Sequence, residues 1–208
     1  MVDAAGQPSI EPRVVLASYH AGVRSIERIA ATVGWDAQTP CGEWRAVELI
    51  GHLLAIVRYY HRLLDAASTG EPFTGLPQGL RLAAMNADDL ALLTEMRGEE
   101  RAREFVARAD AYGARLISAD WVMTLGAWSD TGSLTVGQHT GLVLGEWHVH
   151  AWDLARSAGL DYRPDDAMTV ARGQEAVWSQ PGLDDPWNEV LAAYGRDPNW
   201  SRPVKWAF

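Results

Sequence analysis

TVGQHTGLVLGEWHVHAWDLARSAG, residues Thr135 to Gly159, decides how the rest of this chain is read. Leu142, Val143, Val149 and Leu154 stand among alanines with no strand-like alternation, so the run predicts a helix, and Thr135 offers it an N-cap. With about 3.6 residues per turn, positions four apart project from one side. Glu146 and His150 therefore aim a carboxylate and an imidazole at one point, a two-toothed clamp for a metal. The stripe continues to Asp153 and, two turns before Glu146, to His139, whereas His148 and Trp152 point elsewhere. Such a stripe is either a solvated face or a ligand set. Here Trp147, Leu144 and Val149 surround it rather than oppose it, the pattern of an interior helix, where acids and histidines need partners or a metal.

Three further helices are predicted on the N-terminal side. Val14, Val15, Ala17, Ala21, Ile26, Ile29 and Ala30 recur at helical spacing from Arg13 to about Val33, behind a loose leader from Met1 to Pro12. The loop WDAQTPCGEW, Trp35 to Trp44, delivers a second helix from about Arg45 to Ala67. His52 lies in it among Leu49, Leu53 and Ile56, so its imidazole is inside, hydrogen-bonded or bound to a metal. Leu80 to Ile117 reads as one long helix or two in tandem, with Asn86 or Asp88 as a cap and Gly98 as a bend or break. Ser118 to Ser133 combines the strand-like WVMTL with the turn SDTG and reads as a short extended segment or a lid. Beyond Gly159, a fifth helix from Asp165 and a short one from Trp187 to Tyr194 form a small C-terminal extension over residues 160–208.

The expected fold is all-α: a single domain over residues 1–208, a four-helix bundle with long connections and its site between helices. His52 from the second helix can meet Glu146 and His150 from the fourth. Two imidazoles and a carboxylate suit Zn2+, Ni2+, Fe2+ or Mn2+ alike, and three protein ligands leave a position open for chemistry. Asp153, one turn past His150, is placed to hold that imidazole. Cys41, at the mouth of the second helix, is read as lining the pocket.

Composition narrows the class. A formal charge of −9 with no basic run argues against nucleic acid as a partner. One cysteine rules out an intramolecular disulfide and a four-cysteine zinc site. The first residues lack the charge and apolar core of a secretory signal, and no long apolar stretch follows, so the expectation is a cytoplasmic protein with no membrane partner, monomeric or homodimeric.

Two of these stretches resemble a known family. TPCGEWRAVELIGHLLA and GEWHVHAWDLARSAG are similar to the helix entry and the metal-binding helix of the DinB/YfiT-like metalloenzymes, in the branch of the actinobacterial mycothiol-dependent maleylpyruvate isomerases, and VLAAYGRDPNW is similar to a tail of its shorter members. The resemblance implies a DinB-like bundle with a divalent metal, often zinc, on His52, Glu146 and His150, and mycothiol as cosubstrate. It implies a metal- and thiol-dependent transferase or isomerase acting on a small electrophile, which we expect beneath the segment Ser118 to Ser133. A non-catalytic metal- or ligand-binding bundle is the alternative, and an iron(II) oxygenase a third reading. The isomerases carry a further C-terminal domain that this length does not accommodate, so maleylpyruvate itself is not implied as substrate. His139 has no match in the family pattern; a surface position is expected ahead of an extra ligand or proton shuttle.

Overall fold

A computed structural model describes residues 10–42, 44–70, 95–129, 132–175 and 184–199. Four helices make the bundle: α1 (Pro12–Ala30), α2 (Ala46–Thr69), α3 (Gly98–Ser118) and α4 (Val136–Ser157). A two-stranded antiparallel hairpin, β1 (Thr124–Ser129) and β2 (Gly132–Thr135), joins α3 to α4, and two short helices follow, α5 (Ala167–Gln174) and α6 (Pro186–Ala193). The all-α expectation holds, with the extended segment of the sequence reading realised as the hairpin. The expected part of the third helix before Glu95, with its caps Asn86 and Asp88, lies outside the described residues, as does the leader up to Ser9. Among the described residues no helix is long and apolar enough to cross a membrane.

Local chemistry sets the helix ends. Pro12 occupies the first turn of α1, where its missing N–H costs nothing. Glu48 reaches back to the Arg45 backbone N–H at 2.7 Å to open α2. Thr135 and Gln138 form a reciprocal capping box on α4: the Thr135 hydroxyl accepts from the Gln138 N–H at 3.2 Å, and the Gln138 side chain accepts from the Thr135 N–H at 2.9 Å. Gly98 opens α3 rather than bending it, since a Cβ there would run into the Trp35 indole.

α1 packs against both α3 and α4, and α2 packs on α3, which leaves α2–α4 the loosest of the four seams at which bundle helices meet. The centre of the core is aromatic. Trp147 sits with Phe105, Tyr60 and Tyr19 at ring-centroid distances of 5.1, 5.9 and 6.0 Å, all four fully buried. Burial of rings this large dominates the apolar contribution of the region. α5 crosses α4 at Gly141 and Gly173, where the backbones approach so closely that a Cβ on Gly141 would lie 2.7 Å from the Gly173 carbonyl oxygen. The Gln174 amide donates to the Gly141 carbonyl at 2.8 Å across the same crossing.

α4 is thereby enclosed, with 18 of its 22 residues buried, which overturns the solvated-face reading of its ionisable stripe. His139, His148, His150 and Asp153 are all inside.

Candidate metal centre

The loosest seam of the bundle holds the polar cluster. His52 projects from α2 and Glu146 and His150 from α4. The Glu146 Oε2 atom lies 3.4 Å from His150 Nε2 and 3.9 Å from His52 Nε2. The two imidazole rings stand 5.2 Å apart at an interplanar angle of 81°, so both edges face the same carboxylate oxygen. One ligand atom from each of the three residues falls within 4.8 Å of the others. Zn–N bonds of about 2.05 Å at tetrahedral angles put donor atoms roughly 3.4 Å apart, so this set fits a divalent cation. The Glu146 side chain is 20% exposed, against 10% for His52 and 5% for His150, so the cluster is reached from outside past its carboxylate.

The electrostatics match the geometry. Desolvation pushes the Glu146 carboxyl up, but His150 and His52 together outweigh it and hold it well below the usual carboxylate range. Burial pushes the His150 imidazole down, and the carboxylates of Asp153 and Glu146 more than reverse this, leaving it above its ordinary value. Asp153, with its side chain fully buried, has Oδ2 at 2.9 Å from His150 Nδ1. It is also held by Arg196, which donates from Nε to Oδ1 at 2.9 Å and from Nη2 to Oδ2 at 2.8 Å.

Two connections border the site. The loop between α1 and α2 is folded around Thr39, whose hydroxyl donates to the Trp44 carbonyl at 2.8 Å and accepts from the Cys41 N–H at 3.1 Å. This turn lays the Trp44 indole 4.7 Å from the His52 ring and brings the Cys41 sulfur within 4.8 Å of His150 and Asp153 ligand atoms. Burial, with the Asp153 charge adding to it and Arg196 opposing it, pushes the Cys41 thiol up to about 11. Burial thus disfavours the thiolate, and the sulfur stands as a wall of the pocket beside His150 and Asp153. The second connection is the segment after α6, which carries Arg196. The hairpin joins α4 at Thr135, eleven residues before Glu146, which at about 1.5 Å per residue is roughly 16 Å along the helix axis.

The surface position expected of His139 is corrected. The residue is fully buried rather than at the surface, edge-on to Tyr60 at 4.6 Å with Nδ1 at 3.5 Å from the Tyr112 hydroxyl, and it falls outside the cluster of His52, Glu146 and His150. His148, left unexplained by the helical wheel, ties α4 to its surroundings through Tyr162 Oη at 2.6 Å and Ser18 Oγ at 3.2 Å. Arg196 escaped the sequence reading. The available signal was the charge of Asp153 on an interior helix, which requires a cation from somewhere else in the chain.

Comparison with known proteins adds an independent line. The profile of the mycothiol maleylpyruvate isomerase N-terminal domain matches residues 19–155, a span that contains His52, Glu146, His150 and Asp153. Crystal structures of the mycothiol-dependent maleylpyruvate isomerase and of a histidine-to-alanine mutant of it superpose with a TM-score of 0.62 each, at 17% identity, over 79% of this chain and 68% of those chains. At that identity the likeness is one of fold. No curated protein matches the chain significantly.

Proposed function

The chain belongs to the mycothiol maleylpyruvate isomerase N-terminal domain family, and from that premise we propose that it is a metal-dependent enzyme using a low-molecular-weight thiol, mycothiol, to isomerise or transfer sulfur to a small electrophile. The observation that carries this reading is the meeting of two imidazoles from different helices on one carboxylate oxygen at 3.4 and 3.9 Å. His52, Glu146 and His150 would hold the cation, and zinc is the metal that their donor set suits best. Bound there, a divalent cation supplies Lewis acidity that favours the deprotonated form of a thiol.

The remaining work falls to the chain's own residues. Asp153 accepts from His150 Nδ1 and so leaves Nε2 free to act as donor toward the cluster. The Glu146 carboxylate balances cationic charge in the seam and marks its accessible side. Trp44 covers the His52 ring, and Cys41, its thiol pushed up by burial, walls the pocket beside His150. Burial on those sides disfavours an anionic sulfur, as the raised Cys41 thiol shows, so a cation held by His52, Glu146 and His150 would be the group that offsets that cost.

The direct test is the metal content of purified protein beside His52→Ala and His150→Ala variants, followed by titration with mycothiol. About one metal per chain, lost in both variants, with thiol binding that requires the metal, is the expected result. Thiol transfer that persists in metal-free His150→Ala protein would sink the reading.

A further inference from the structure

We propose that Arg196 is a positioning residue for His150: acting through Asp153, it fixes which imidazole nitrogen faces the cluster, and so makes the segment after α6 a working part of the site. The consequence for metal binding rests on the reading of His52, Glu146 and His150 as a metal centre. Arg196 lies outside the span matched by the family profile, so the inference comes from this chain's own contacts.

The fully buried Asp153 carboxylate meets two partners. Arg196 takes both of its oxygens, Nε on Oδ1 at 2.9 Å and Nη2 on Oδ2 at 2.8 Å, in the parallel fork that only a guanidinium provides. His150 Nδ1 shares Oδ2 at 2.9 Å. A carboxylate paired in this way can only accept, so it takes the hydrogen on Nδ1 and holds the ring with Nε2 turned toward the cluster, 3.4 Å from Glu146. Remove the guanidinium and a buried carboxylate faces an imidazole alone. The acceptor that orients the ring is then no longer fixed in place.

The guanidinium is itself held from two directions. α6 docks through buried Trp187, Val190 and Leu191 and ends in a left-handed turn at Gly195, with φ of +69°. There the Gly195 N–H bonds the Ala192 carbonyl at 2.9 Å and the Arg196 N–H bonds the Leu191 carbonyl at 2.8 Å. This turn reverses the chain toward α4. Arg196 Nη1 then donates to the Tyr194 carbonyl at 2.7 Å, which fixes the plane of the fork.

The test uses the full chain and two readouts. Zinc affinity is measured by competition with a chromophoric chelator for the parent, Arg196→Gln and Arg196→Lys, with His150→Ala as the baseline. The His150 tautomer is read in metal-free protein from long-range nitrogen–proton NMR correlations at the alkaline end of a pH series. Arg196→Gln is expected to weaken zinc by roughly 10–100-fold and to lose the Nδ1–H held on Asp153, with Arg196→Lys between it and the parent. Parental affinity and an unchanged tautomer in Arg196→Gln, even with a lowered melting temperature, would reduce Arg196 to a structural clamp and overturn the proposal. If Arg196→Gln does not fold, the same two readouts on Arg196→Lys decide it, parental values again counting against. A parent that binds no zinc while its His150 tautomer still responds to Arg196→Gln would reject the metal reading but uphold the positioning role.

Discussion

The two halves of α4 contain histidines on one stripe, and they meet opposite fates. In the N-terminal half His139 is enclosed by Tyr60 and Tyr112; burial pushes it down to about 3, against the opposing pull of Glu146. In the C-terminal half His150 is as deeply placed, yet the carboxylates of Asp153 and Glu146 on either side raise it above its ordinary value. Burial alone makes a histidine an inert polar guest in the core. Burial beside paired charges makes it a candidate ligand. The difference lies in the neighbours: Glu146 and Asp153 of α4 itself flank His150, whereas Tyr60 of α2 and Tyr112 of α3 enclose His139.

The sharpest way to break this contrast is to exchange the two positions' treatments. His150→Ala should reduce bound metal to background, whereas His139→Leu should keep about one metal per chain. Metal lost equally from both would show that the halves are not separate. The next effect is on acid stability. The folded His139 imidazole is held near 3 against an ordinary value of 6.5, so its contribution is intact above pH 6.5 and is lost as pH falls from there toward 3. The unfolded chain takes up that proton first, which costs about 1.4 kcal/mol of stability per pH unit. Urea midpoints for His139→Leu should therefore fall less steeply between pH 6.5 and 4.5 than those of the parent.

Smaller effects sharpen the division of labour along the helix. Gly141→Ala would drive its Cβ against the Gly173 carbonyl, backbone that cannot swing aside, so a loss of about 1–3 kcal/mol is expected in chemical denaturation. Thr135→Ala removes the cap on the Gln138 N–H and should cost about 1 kcal/mol. Both lie in the N-terminal half, and both should leave zinc affinity within error of the parent once the protein is folded. A large drop in affinity from either would mean that the site depends on the whole helix rather than on its second half.

How much of this was legible in the sequence follows from the range of the signals. α1, α2 and α4 were readable to within a few residues because their apolar faces repeat at helical spacing, and Thr135 announced its cap three residues before Gln138. Glu146 and His150 were readable as a pair because four residues on one helix is a local relation, and His52 because an imidazole among leucines asks for a partner. Cys41 was legible too, read at the mouth of α2 as lining the pocket, where Thr39 holds its loop back on Trp44. Positions set by long-range folding were not. Arg196 arrives only because α6 docks and reverses at Gly195. His139 looked like a surface residue because the apolar residues beside it on α4 give no hint that Tyr60 and Tyr112 close over it from other helices.

The Trp44 indole, 4.7 Å from the His52 ring, makes the pocket self-reporting. An indole in contact with an imidazole senses what that imidazole binds, so a divalent cation held by His52 would change the Trp44 emission. Trp147 and Trp152 on α4 also stand near the site, so the share that belongs to Trp44 is read by difference. A Trp44→Phe protein subtracted from the parent would give the occupancy of the centre optically, without a label and without a substrate.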